Sequence, residues 1–182
     1  MVYTHKLLAE NEISIDKDWF VLLGERYTYK LLPNNYLYIF DSSRKVAKSL
    51  RCRSERRIKP LLLEFAREQI SMIIQKYFDE YSQIMNIDKR WRWELKNSKS
   101  YWGRCVIRSS DPKKQFLIMF NERLYLIDEY FIKETVVHEL LHAVGFIKHD
   151  KTFKKELVRY LPDLKEKIEA HYHPILSRTS KV

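Results

Sequence analysis

Glycine is nearly absent from this chain: its 182 residues hold only 3. A dinucleotide fingerprint or a P-loop concentrates more glycine than that in one loop, because the backbone must approach phosphate closely. Nucleotide-binding folds of those kinds are excluded. Cysteine is scarce too. Cys52 and Cys105 lie far apart, neither has a Cys-x-x-Cys partner, and the default is two reduced thiols. No run of eighteen or more apolar residues occurs, so no membrane-spanning helix and no membrane partner are expected. The opening MVYTHKLLAENEISIDKDWF carries acids early and lacks a continuous apolar stretch, so it does not read as a signal peptide. The expectation is a cytoplasmic protein.

What is present suffices for a core. Hydrophobic residues make up 45% of the chain and aromatics 14%, which argues against disorder. The length fits one compact unit, with residues 1–53 as a β-rich N-terminal segment and 54–182 as the main domain. The net charge is +10. Much of it gathers between Arg44 and Lys59, where eight cations are opposed only by Glu55. That run reads first as a solvated helix entrance. A second reading is a surface for DNA phosphates, with Arg51, Arg53, Arg56 and Arg57 as the contacts. The segment KRWRWELKNSKSYWGR, residues 89–104, divides the same way. Its aromatics either face inward by strand alternation or stack on bases between cations.

Residues 19–41, WFVLLGERYTYKLLPNNYLYIFD, predict two strands joined at Pro33-Asn34-Asn35. From Ser54 to Met85 apolar residues recur at spacings of three to five, which predicts a long amphipathic helix starting near Pro60. WRWEL, SYWGRCVIRSS and KKQFLIMFN read as three further strands. QFLIMF, residues 115–120, is a candidate edge strand along which an extended peptide could pair. LIDEYFIKETVVHELLHAVGF reads as a helix with Asp128 at its N-cap and Gly145 as its stop, followed by a helix from Lys151 to Tyr160.

That first helix carries the chemistry. His138 and His142 stand four residues apart, hence side by side on one face, a spacing at which two neutral imidazoles ligate one Zn²⁺. Glu139 lies about 100° around the helix, placed to take a proton from a metal-activated water attacking a carbonyl. The residues between are apolar, and unpaired histidines on such a surface would be costly. A catalytic zinc takes a third protein ligand. Gly145 lets the chain reverse and return His149; the other reading has His149 cap the next helix and Glu156 or Glu166 ligate instead. Asn121 is equally placed to orient the helix or to hold substrate backbone. Trp102 reads first as core and second as a substrate contact. Phe153 reads as core. Tyr125, Tyr130 and Arg123 are the oxyanion candidates by proximity in sequence.

Four motifs together resemble the YgjP-like metallopeptidases, relatives of the SprT-like (Spartan-type) proteases. They are Trp102-Gly103-Arg104-Cys105, Asn121-Glu122-Arg123-Leu124, the helix Val136-Val137-His138-Glu139-Leu140-Leu141-His142, and His149 with Phe153. The similarity runs from about residue 19 to 164. It implies that His138, His142 and His149 hold one Zn²⁺ and that Glu139 is the catalytic acid/base of a zinc metalloendopeptidase-like hydrolase acting on polypeptide. It also implies an α+β fold: a small mixed or antiparallel sheet packed with a long helix and a zincin-type active-site helix, behind an N-terminal β-hairpin region. Two departures stand out. The third histidine follows the second by seven residues where such proteins usually have six, and Arg104 replaces a serine. With two cysteines the chain carries no zinc ribbon of the SprT-like kind. The alternative function is a nucleic-acid-binding protein with a structural zinc, or a protease acting on DNA-associated protein.

Overall fold

A computed structural model describes residues 18–107, 110–112 and 115–170. Residues 1–17 of the N-terminal stretch read above for a signal, and the whole tail after 170, lie outside the described residues. The class is α+β: a four-stranded sheet, a three-stranded sheet, and helices that include one of 27 residues.

Residues 19–51 form four strands, where two were expected within 19–41. β1 (Trp19–Leu22) and β2 (Glu25–Leu31) meet at a two-residue turn, Leu23-Gly24, with φ of 56° and 79°. A tight hairpin favours positive φ at both turn positions. Leu23 hides this turn in the sequence by continuing the apolar run; its N–H donates to the Tyr125 carbonyl at 2.8 Å, which anchors the turn. The Pro33-Asn34-Asn35 turn leads into β3 (Tyr36–Phe40), with Asn34 Oδ1 accepting from the Tyr36 N–H at 3.2 Å. β4 (Val46–Arg51) completes an antiparallel meander. The basic run is therefore half strand, not simply a helix entrance. Asp41 makes this turn by accepting from the Ser43 and Lys45 N–H groups, each at 2.9 Å. Alternate β4 side chains, Lys48 and Leu50, are then half-buried.

The long helix α1 (Ile58–Ile84) is uninterrupted, and Pro60 falls in its first turn, where no intrahelical N–H donor is required. It buries Leu62, Phe65, Ile70 and Ile74 to 2% exposure or less. Each such burial contributes about 1.5–3 kcal/mol. Phe65 meets Tyr27 of the meander edge-on at 5.9 Å.

The second sheet holds β5 (Arg92–Lys96), β6 (Gly103–Val106) and β7 (Leu117–Asn121) in the order β5-β7-β6. β5 runs parallel to β7 and β6 antiparallel to it. The expected edge strand at 115–120 is thus the central one. Four of its five residues are buried, as befits a strand covered on both faces, and both of its pairing edges are occupied. The outer strand beside the helices is β6. A 3-10 turn, Glu122–Leu126, leads to helix α2 (Glu129–Ala143), and α3 (Lys151–Tyr160) follows. α1 holds the start of α2 through Glu129, which accepts from the Tyr77 hydroxyl at 2.7 Å and pairs with Lys76 at 3.1 Å. One core joins the meander, α1, β7, α2 and α3. Among the described residues no helix is long and apolar enough to cross a membrane.

Candidate metal centre and its flanking carboxylate

α2 is buried on every side from Thr135 to Leu141, with Val136, Val137, Leu140 and Leu141 fully enclosed. His138 and Glu139 are carried inside with them, each 4% exposed. His142 lies one turn on, its ring 4.9 Å from that of His138.

The end of α2 brings the third histidine in. The Gly145 N–H donates to the His142 carbonyl and the Phe146 N–H to the Leu141 carbonyl, both at 3.1 Å, with Gly145 at φ 107°. These are the two bonds of a Schellman turn, which needs a residue tolerant of positive φ. The turn aims the Phe146 carbonyl at His142 Nδ1, 2.7 Å away. A carbonyl only accepts, so Nδ1 carries the proton and Nε2 keeps its lone pair. Asp150, the next residue after His149, caps α3 by accepting from the Phe153 N–H at 3.0 Å. The capping role weighed for His149 belongs to its neighbour.

His149 Nε2 lies 2.8 Å from His138 Nε2 and 3.1 Å from His142 Nε2. Phe153 closes the site from α3, its ring 4.7–5.1 Å from all three imidazoles, so it is both core and floor. Among the described residues these three histidines form the one cluster able to hold a metal ion. Glu156 instead pairs with Arg159 at 3.0 Å. Nitrogens bound 2.0–2.1 Å from one tetrahedral ion stand about 3.3 Å apart, so opening by a few tenths of an ångström admits one. Burial lowers the His138 pKa to about 3, reinforced by His142 and His149, and burial also lowers that of His142. Both rings are neutral at pH 7, the form that ligates. The donor set fits a metal.

Glu139 points instead toward β6. A Cβ on Gly103 would fall 2.7 Å from both Cγ and Oε1 of Glu139, so this glycine is what leaves room for the carboxylate. The Cys105 backbone N–H hydrogen-bonds Glu139. The Asn121 N–H bonds the Trp102 carbonyl at 2.8 Å, which by two-residue alternation turns the groups of Gly103 and Cys105 away from β7. Burial raises the Glu139 pKa to about 8 against that bond, with the Glu134 charge adding to the rise. The Cys105 thiol is pushed up to about 12 by burial and by Glu139, so it stays protonated and unreactive.

Asn121 is fully buried and spends its side chain on the chain itself. Nδ2 donates to the Ser98 and Tyr101 carbonyls at 2.8 and 2.7 Å, and Oδ1 accepts from the Arg123 N–H at 3.1 Å. It holds the loop that leads into Trp102 and Gly103. Trp102 is 6% exposed and belongs to the core. Trp91 and Trp93 pack edge-on against Phe116 and Phe120. The Tyr130 hydroxyl donates to Asp163 at 2.8 Å and Tyr125 is buried. Arg51, Arg53, Arg56 and Arg57 are exposed at the end of β4 and in the turn before α1, on elements separate from the histidines.

The sequence reading missed three contributors: the close approach at Gly103, the Cys105 N–H and the Phe146 carbonyl. Two are backbone groups, which no residue type announces. For Gly103 and Cys105 the available signal was the Trp-Gly-x-Cys motif.

Comparison with protein families matches the model described as YgjP-like, metallopeptidase domain, over residues 5–170. A comparison with curated proteins returns no match. With the histidine cluster and its buried glutamate in place, the match over most of the chain decides the matter: this protein belongs to the YgjP-like metallopeptidase family.

Proposed function

We propose that this chain is a zinc-dependent endopeptidase-like hydrolase in which His138, His142 and His149 hold one Zn²⁺ and Glu139 moves the proton. Family membership supports a metal-using hydrolase of polypeptide. The observation that carries the finer reading is the meeting of three imidazole Nε2 atoms beside a buried carboxylate on the next residue of the same helix. A Zn²⁺ held there supplies Lewis acidity toward a peptide carbonyl and lowers the pKa of water. Glu139 takes the proton of the attacking water on a carboxylate oxygen and returns it to the leaving amine nitrogen. Burial raises its pKa in the metal-free protein, which favours the half of the transfer in which it holds the proton before the amine leaves. The Cys105 N–H fixes the carboxylate in place. The outer strand β6 flanks Glu139, and its edge away from β7 is partly taken up by that carboxylate through the Cys105 N–H.

The test is Glu139→Gln in the full chain, with metal measured by elemental analysis and cleavage measured on unstructured polypeptides and on peptides blocked at both ends. One Zn²⁺ per chain with cleavage lowered by about 10²–10⁴-fold is expected. Cleavage at the wild-type rate would end the assignment of Glu139, and cutting confined to free termini would end the endopeptidase reading.

A second reading, DNA binding, is favoured by the exposure of Arg51, Arg53, Arg56 and Arg57, none of which makes an ion pair among the described residues. Base stacking by Trp91, Trp93 and Trp102 does not add to it, since those rings are engaged in packing. Reversing the four charges should weaken DNA binding and flatten its salt slope by about 0.9 for each phosphate no longer neutralised. Wild-type protein whose DNA binding shows no salt dependence would remove this reading.

A further inference from the structure

His138 and His142 must present the same nitrogen to an ion lying between them, yet their opposite nitrogens are treated differently. His142 Nδ1 donates to the Phe146 carbonyl. His138 Nδ1 is buried with no hydrogen-bond partner. A buried ring N–H left in that condition costs about 1–3 kcal/mol, and a histidine that ligates a metal through Nε2 must keep its proton on Nδ1. One turn earlier on the same stripe stands Glu134. Its Oε1 is 3.9 Å from His138 Nδ1, with the two side chains 19% and 6% exposed. Among the described residues this carboxylate has no other hydrogen bond or ion pair. Two poorly solvated groups thus face each other, each without its natural partner, about 1 Å beyond hydrogen-bond distance.

We infer that Glu134 is a positioning residue of the metal site: its carboxylate accepts the Nδ1 proton of His138 and so holds the Nε2 lone pair toward the ion. Glu134, His138 and His142 follow one another at intervals of four, so orienting carboxylate and two ligands share one helical stripe. The site is then completed from both ends of that stripe, by a side chain at one end and a backbone carbonyl at the other. This assignment rests on the metal-site reading above.

The experiment measures Zn²⁺ affinity by chelator competition for the full chain and for Glu134→Met and Glu134→Gln. Methionine fills the space without an acceptor, whereas glutamine keeps an accepting oxygen. Glu134→Met is expected to weaken binding about 10–100-fold, and Glu134→Gln by less than about 5-fold. A folded Glu134→Met that holds Zn²⁺ as tightly as wild type overturns the assignment. Nitrogen-15 NMR of the Zn²⁺-loaded wild type provides a test that needs no variant to fold. A His138 Nδ1 proton shifted downfield and protected from exchange, as a carboxylate acceptor makes it, is expected, and one that exchanges like an unbonded ring proton overturns the assignment. Wild type that takes up no Zn²⁺ overturns the metal reading itself, a result distinct from either of these.

Discussion

The two sides of this site are built in opposite ways. The histidine side is local: two histidines a turn apart on α2, a Schellman turn, the third histidine, and Phe153 beneath, all between residues 138 and 153. The carboxylate side is assembled from afar. Glu139 depends on Gly103 and Cys105 of β6, and β6 depends on a loop tied down by Asn121 at the end of β7. Metal affinity should therefore answer to short-range changes, and proton transfer to changes in the sheet. If the two sides are independent, variants exist that damage either one while leaving the other.

The largest effects should come from the side chains themselves. His142→Ala is expected to abolish stoichiometric Zn²⁺ binding, and His149→Ala to do the same; retention by His149→Ala would place the third ligand elsewhere. Glu139→Gln is expected to keep the metal and lower turnover by about 10²–10⁴-fold. Loss of metal in that variant would mean that the two sides are not separable.

Gly103→Ala is a sharper instrument, because it strikes the carboxylate without touching a ligand. The added methyl would collide with Cγ and Oε1 of Glu139 at 2.7 Å, and that side chain is buried and held by the Cys105 N–H. Peptidase activity should fall about 10–100-fold and stability by about 1–3 kcal/mol, with Zn²⁺ affinity within a few-fold of wild type. Activity assays beside chelator titrations check both halves. An unaffected rate would show that Glu139 works from a different position.

The same comparison explains what could be read in advance. The helix pair carrying His138, His142 and His149 announces itself through four-residue spacing and a stop glycine, because each is a contact between sequence neighbours; Asp128 takes the N-cap position without a side-chain cap bond, and the Asp150 cap was not read. α1 was equally plain from its apolar period. The Leu23-Gly24 turn was not, since Leu23 continues an apolar run and adopts positive φ only where the Tyr125 carbonyl holds its N–H. The central place of β7 was hidden for a related reason: a short apolar run says that a strand is buried, not which strands flank it. The polar Asn121 was recognisable as important, but its partners at Ser98 and Tyr101 lie more than one element away.

Acidity offers a milder perturbation of the metal-free protein. Burial raises Glu139 to about 8 and Glu134 to about 7, above the ordinary carboxylate value they take in the unfolded chain. The folded state therefore binds more protons in that range, and stability falls as pH rises toward 8. His138, lowered to about 3, acts in the opposite sense, but only below its unfolded value near 6.5. His142, also lowered, acts likewise, so the carboxylates act nearly alone only between about pH 7.5 and 8.5. The melting temperature of chelator-treated protein should drop by a few degrees across that window, and Glu139→Gln should remove part of the drop. An equal slope in both proteins would mean that Glu139 is already ionised without metal.

The smallest expected effect belongs to Gly145→Ala, and it probes the local side alone. Nothing lies within 4 Å of where the new methyl would sit, so crowding contributes nothing. What changes is the backbone: φ of 107° costs an L-residue about 1–2 kcal/mol. Relaxing that strain loosens the turn and, with it, the Phe146 carbonyl on His142 Nδ1. Zn²⁺ affinity should therefore fall by less than about tenfold while Glu139 keeps its place against Gly103, so turnover at saturating Zn²⁺ stays near wild type. Chelator titration beside saturated-metal kinetics distinguishes the two. A lowered rate with unchanged affinity would reverse the division between the local and the assembled sides.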